Sequence, residues 1–265
     1  METEERIFAV YGKAGELLSR YRSGEPPRAL KILPMLPNCE ELLEIMLPER
    51  WTPAGVLLAT TLFVNSKNVN LRHFLASVLL PAARQDFAEN KKLSRNHYDA
   101  VRAALFKPQE FFRGFVLPMC EDRGTSSKEA AIIAGIVSKK HVPMLHVSAV
   151  LVLLAEKKYS GAVGVFLRMF LKKQTRLPCQ ALDSLFVFFY LERDCAEKKP
   201  VLWLQCLLEF VRGYSTDLSP EQREMLADAV SRLRLVHAAE PSQGTTAILD
   251  FCHQFFYRQR LSPCL

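Results

Sequence analysis

The chain has 265 residues, 49% hydrophobic and 24% charged, with a formal net charge of +7. This composition excludes an intrinsically disordered chain, and the apolar runs all fall short of the about 18 residues needed to cross a bilayer. Seven cysteines, at 39, 120, 179, 195, 206, 252 and 264, form no C-x-x-C pair and no even disulfide framework, so unpaired thiols in a reducing compartment are expected.

The opening METEERIF is acidic where a secretory signal would be basic and then apolar. A first helix is predicted over about 4 to 21. RSGEPPRALKILP (22 to 34) carries three prolines and is expected to lie as an extended linker. Asn38 with Glu41 three residues on has the spacing of a capping box, and Thr52-Pro53 pairs an N-cap with proline at the first helical position. These place helices near 38 to 47 and 53 to 65. A longer helix from 68 to 91 contains Pro81, which should kink or split it. Ser94 caps the next, ending near Phe106.

Pro108, Pro143 and Pro178 fall 35 residues apart, each opening a helix, while Ser126 and Ser160 cap the helices between them. Val142 to Pro178 reads as a helical hairpin apolar on almost every face, which requires neighbours on both sides. Trp203, Phe166, Phe170, Phe186 and Leu151 are expected to be buried there. Further helices are predicted near 199 to 214, from Ser219-Pro220 with Gln222 completing a capping box, and near 243 to 259. The period fits a helix-turn-helix solenoid, and strand alternation is lacking. The expected fold is all-α: a single right-handed α-solenoid of HEAT-like or tetratricopeptide-like hairpins. It divides into an N-terminal helix and linker (1–37), a repeat domain (38–236) and a C-terminal helix packed on the array (237–265).

Catalytic signatures are missing. There is no P-loop, no G-x-S-x-G, no H-E-x-x-H and no histidine–cysteine ligand spacing, so neither an enzyme, a metal site nor a cofactor is expected. Gly12-Lys13-Ala14-Gly15 matches the G-x-x-G of a KH loop but lies in a helical stretch. His146 is expected as a satisfied core imidazole, and Asp183 as a carboxylate bonded to a helix end or a cation.

Charge is unevenly placed. From Lys67 to Arg176, 19 Lys and Arg stand against 8 Asp and Glu, giving +11 there and −4 for the remainder. A basic middle points to an anionic partner, with nucleic acid foremost. A pair of lysines ending one helix is explained by the helix dipole, but the accumulation of Lys91, Lys92, Arg95, Arg102, Lys107, Arg113, Lys139, Lys140, Lys172, Lys173 and Arg176 is not. If hairpins stack in parallel, Lys139, Lys140, Lys172, Lys173 and Arg176 form a ladder suited to phosphates.

A set of words in fixed order then resembles the bystin family. They are Leu18-Ser-Arg-Tyr-Arg-Ser-Gly24 with Pro27 and Ala29-Leu-Lys-Ile32, Trp51-Thr52, Ala59-Thr60, Val78-Leu-Leu-Pro81 with Arg84, Asp86 and Lys91, and Ala104-Leu-Phe-Lys-Pro108. Leu117-Pro118, Glu129-Ala130, Val142-Pro143 with Leu145-His146, Tyr159-Ser-Gly-Ala162, Phe166-Leu-Arg168 and Pro200-Val-Leu-Trp203 follow. The resemblance runs from about Tyr11 to Val236. It implies a ribosome assembly factor that travels with the maturing small subunit from nucleolus and nucleus to cytoplasm, a monomer within a ribonucleoprotein particle. The implied partners are precursor small-subunit rRNA, the KH-domain ribosomal protein of the subunit head, and a low-temperature-viability-type assembly factor. The candidate RNA-binding residues are Arg20, Arg22, Lys31, Lys91, Lys92, Arg95, Lys107, Arg113, Lys139, Lys140, Arg168, Lys172, Lys173 and Arg176. A generic solenoid adaptor that binds protein alone is the competing reading. The sequence departs from the family's pattern at CEDRGTSSKEA (120 to 130) and at Thr61, where arginine is usual, and the long charged low-complexity N-terminal region typical of the family is not among its residues.

Overall fold

The computed structural model describes residues 2–66, 71–191, 199–238 and 243–261, and every regular element among them is helical. These residues fall into two compact units, 1–141 and 142–265.

The first unit begins with α1 (Glu2–Ser19), and the G-x-x-G lies inside it, so no KH loop forms. Gly15 is needed for packing, because a Cβ there would stand 2.2 Å from the Met46 carbonyl oxygen. That same carbonyl accepts a 3.0 Å hydrogen bond from the Trp51 indole. The proline-rich segment is not extended throughout, as the sequence suggested. Residues past Pro27 wind into α2 (Arg28–Ile32) and a 3-10 turn (Leu33–Met35). Burial of Leu30 and Leu33 outweighs the helix-breaking prolines, which stand at element starts where a missing N–H costs little.

Asn38 precedes α3 (Cys39–Ile45) but makes no side-chain cap, so the predicted capping box is absent. Its φ and ψ of −93° and 29° lie outside the extended region that aims a capping oxygen at the N3 amide. Thr52 does cap α4 (Pro53–Asn65). Its hydroxyl accepts from Gly55 N at 3.1 Å and donates to the Tyr21 carbonyl at 2.6 Å, tying the end of α1 to the start of α4.

The Pro81 helix continues through a wide turn. After α5 (Leu71–Phe74) comes a π turn (Leu75–Leu79) and then α6 (Leu80–Asn90), with the Leu80 amide bonded five residues back to Leu75. A proline has no amide and its ring crowds the preceding turn, and the extra residue absorbs both. α7 (Arg95–Ala104), capped by Ser94, leads to a second copy of this device: α8 (Pro108–Phe111), a π turn (Phe112–Val116) and α9 (Leu117–Glu121) with Pro118 in its first turn. The two π turns pack on each other. Gly114 lies so close to α5 that a Cβ would be 2.5 Å from the Arg72 carbonyl oxygen. α10 (Ser127–Ser138) starts at the predicted cap Ser126, where the capping box with Glu129 is complete, and packs on α7.

The second unit holds α11 (Met144–Ala155), α12 (Gly161–Lys172), α13 (Cys179–Leu191), α14 (Val201–Tyr214), α15 (Pro220–Ala238) and α16 (Gln243–Leu261). Each helix packs on the next but one: α11 on α13, α12 on α14, α13 on α15, α14 on α16. Ser160 caps α12, and Ser219 with Gln222 forms the predicted capping box. Pro143 and Pro200 stand one residue earlier than the first helical position, as N-caps with extended ψ near 145°, whereas Pro108 occupies the first helical position itself. The core is aromatic, with Phe189 against Trp203 at 5.5 Å and against Phe210 at 5.1 Å. Trp203, Phe166, Phe170, Phe186 and Leu151 are all buried as expected. His146 is half-exposed rather than core, because it sits in the first turn of α11. Asp183 is exposed and takes a 2.7 Å hydrogen bond from the Gln222 amide, a neutral partner rather than a cation.

Of the described cysteines, Cys39, Cys120, Cys206 and Cys252 are buried, Cys179 is exposed and none is in a disulfide. Cys195 and Cys264 lie outside the described residues. Burial pushes the Cys206 and Cys252 thiols up to about 12, far from the thiolate range in which cysteine reacts.

Candidate nucleic-acid interface

The family word at 18 to 24 resolves into structure and display. Tyr21 donates its hydroxyl to the Gly24 carbonyl at 2.7 Å, and Gly24 has φ +116°, a conformation that side chains disfavour. This knot holds Arg20 and Arg22 exposed on the surface beside it, with Lys31 exposed on α2.

At the end of α6, Lys91 takes the left-handed conformation (φ 56°) and donates its ammonium to the Ala88 carbonyl at 3.0 Å. It therefore closes the helix, while Lys92 beside it is exposed. Arg95 is exposed but paired with Asp99 at 2.7 Å. Lys107 is half-buried and donates to the Ser66 carbonyl, which gives it a structural tie. Arg113, on the second π turn, is exposed.

Two lysines at the end of α10 lie over aromatic rings of the α7 region: Lys139 over Tyr98 at 5.9 Å and Lys140 over Phe106 at 5.0 Å. In the second unit, Lys172 and Arg176 are exposed, while Lys173, the C-cap of α12, is half-buried and burial lowers its ammonium's affinity for a proton. The loop between them turns at Gln174 (φ 47°) and is held by the Tyr214 hydroxyl, which donates to the Thr175 carbonyl at 3.0 Å. Arg168 is half-buried on α12, its Nε withdrawn from solvent without a hydrogen-bond partner. Of the residues expected to form a ladder, Lys139 and Lys140 belong to the first unit and Lys172, Lys173 and Arg176 to the second.

Sequence reading missed a polar cluster under α6 and α7. The Asp86 carboxylate accepts from His97 Nδ1 at 2.7 Å, from the Ser94 amide at 2.7 Å and from Asn90 Nδ2 at 2.9 Å. A serine, a histidine and an aspartate meet here, but Ser94 Oγ also contacts Nδ1, at 3.1 Å. A nucleophile needs the opposite ring nitrogen, so this arrangement cannot relay a proton from serine and acts as a pin between helices. Burial would raise the Asp86 carboxyl, yet the donors overcome it and hold it at about 2. A carboxyl depressed in the fold contributes stability above its unfolded value near 4 and loses it as pH falls through 2. Asp86→Asn should therefore destabilise the first unit by about 2–3 kcal/mol at pH 7 and by progressively less toward pH 2, as read in denaturant melts. The cluster borders a cavity of about 270 Å³ lined by Trp51, Pro81, Glu49 and Glu89 and by no lysine or arginine, a surface that repels phosphate.

Among the residues where the sequence departs from the family, Asp122 pairs with Arg84 and accepts from Gly124 N at 2.8 Å, and the Arg84 guanidinium holds its carboxyl below the usual range. Thr61 is exposed and bonds back to the Leu57 carbonyl at 2.9 Å. No group of three or more metal-ligating side chains occurs among the described residues, and no helix among them is long and apolar enough to cross a membrane.

These features define an all-helical protein with exposed cations on both of its units. The family model described as Bystin matches residues 1–239. Proteins named Bystin from Monosiga brevicollis, Nematostella vectensis and Homo sapiens are 44%, 43% and 42% identical over 230, 230 and 228 residues, in each case 86% of this chain. The match covers 56%, 53% and 52% of those proteins, so the chain spans about half the length of these relatives. The chain belongs to the bystin family.

Proposed function

We propose that the chain is a non-catalytic assembly factor of the small ribosomal subunit that binds precursor rRNA through phosphate contacts. The observation that carries this reading is the balance of +11 between Lys67 and Arg176, with Lys92, Arg113, Lys172 and Arg176 exposed. Arg20, Arg22 and Lys31 extend the same chemistry, whereas Lys91, Arg95, Lys107 and Arg168 each have a structural use or a half-buried position that makes them weaker candidates. On this reading the alternate packing of α11 to α16 is a stack of helical hairpins that serves as a rigid support. Its protein partners are the KH-domain ribosomal protein of the subunit head and a low-temperature-viability-type factor, and its path runs from nucleolus and nucleus to cytoplasm as a monomer within the particle.

A protein-only adaptor is favoured by one feature, the exposed Val10 and Leu17, seven residues apart on one face of α1. The two readings separate in a salt titration against a precursor small-subunit RNA fragment, since phosphate contacts release counterions and apolar docking does not. A steep linear fall of log affinity with log salt is expected. A flat titration, or no crosslink to precursor RNA in cells, rejects RNA binding.

A further inference from the structure

Phe106 is 73% exposed, yet the backbone around it is fully ordered by hydrogen bonds. Its amide donates to Ala103 O at 3.1 Å, the Lys107 amide to Ala104 O at 3.1 Å, and the Phe111 amide to Lys107 O at 3.0 Å. Leu105 on one side is buried, and Lys107 on the other is tied to the Ser66 carbonyl. The ring is thus held outward by a fixed turn between α7 and α8, where it does not serve the core.

Its neighbours are cationic. Lys140 lies 5.0 Å from the ring centroid, and next to it Lys139 lies 5.9 Å from the ring of Tyr98, one helical turn before the exposed Arg102. An aromatic face beside cations is the arrangement that recognises an unpaired nucleobase. The base stacks on the ring regardless of its identity, and the flanking phosphates meet the ammonium groups. A duplex cannot use the ring, because its bases are already stacked on one another.

Resting on the RNA-binding reading above, we infer that Phe106, with Lys139, Lys140 and Arg102, forms a stacking site for a flipped-out or single-stranded base of RNA. The site adds preference for unpaired RNA to an otherwise shape-blind phosphate affinity.

The test titrates the full chain with a ten-nucleotide single-stranded RNA and with a duplex of the same length. Phe106→Ala should weaken single-strand binding about tenfold, within the range that one stacked base supports, and leave duplex binding and the melting temperature unchanged. Phe106→Trp should restore single-strand affinity and report it directly, its fluorescence quenched by the single strand and not by the duplex. Trp51 and Trp203 are buried, so a parallel wild-type titration supplies the background. If Phe106→Ala binds both RNAs as wild type does, or loses both equally, the stacking site is rejected while phosphate binding stands. If the wild type binds neither RNA at low salt, the RNA reading itself fails and this site with it.

Discussion

Phe166→Ala should destabilise the second unit by about 3–5 kcal/mol, measured as a shift of the denaturant midpoint. The side chain is fully buried on α12, which packs on α14 closely enough that the Cys206 thiol reaches the Gly164 carbonyl at 3.2 Å. Gly164 leaves little room for α12 to collapse toward α14, because a Cβ there would meet Leu202 Cδ2 at 3.0 Å. The cavity therefore stays largely open, which puts the cost in the upper part of the range for aromatic deletions. Domains of this kind have about 5–15 kcal/mol in total, so the variant loses a large fraction of its stability. A change below about 1 kcal/mol would show that α12 is not central. Phe106→Ala is the natural control, being the same substitution at an exposed position.

The second large effect is on binding. Lys172→Glu with Arg176→Glu reverses two exposed charges at the end of α12 while sparing Lys173, whose half-buried position would confuse a loss of affinity with a loss of stability. Removing two phosphate contacts should lower the slope of log affinity against log salt by about 2, so RNA binding weakens most at low salt and converges with wild type at high salt. Melting should move little, since a charge at a helix end contributes only about 0.3–1 kcal/mol. An unchanged slope would assign this end of α12 to bulk solvent and place the RNA contacts elsewhere, with Arg20, Arg22 and Lys92 next to be tested.

Much of the fold was legible because helix starts are local events. Thr52, Ser94, Ser126, Ser160 and Ser219 all cap the helices expected of them, since a cap needs only an extended residue and an amide two or three positions on. The burial of Phe166, Phe170, Phe186 and Trp203 was equally readable from helices apolar on most faces. Asn38 fails as a cap for want of a backbone angle that its neighbours dictate, and residues 28 to 35 turn helical because Leu30 and Leu33 reach the core.

The cations show the same division. Residue order establishes family membership, all-helical character and the excess of positive charge between Lys67 and Arg176. It does not distinguish Lys92, open to solvent, from Lys91 and Lys107, whose ammonium groups bond carbonyls at the ends of α6 and α4. Nor does it bring Asp86 to His97 across eleven residues, or Lys139 and Lys140 to Tyr98 on α7 and Phe106 in the turn after it. Caps, propensities and composition act within a few residues, and so the sequence carries them openly. Which polar atoms meet depends on how helices cross, and crossing is set by the packing of side chains distant in the chain, as Gly15 against Met46 and Gly114 against Arg72 show.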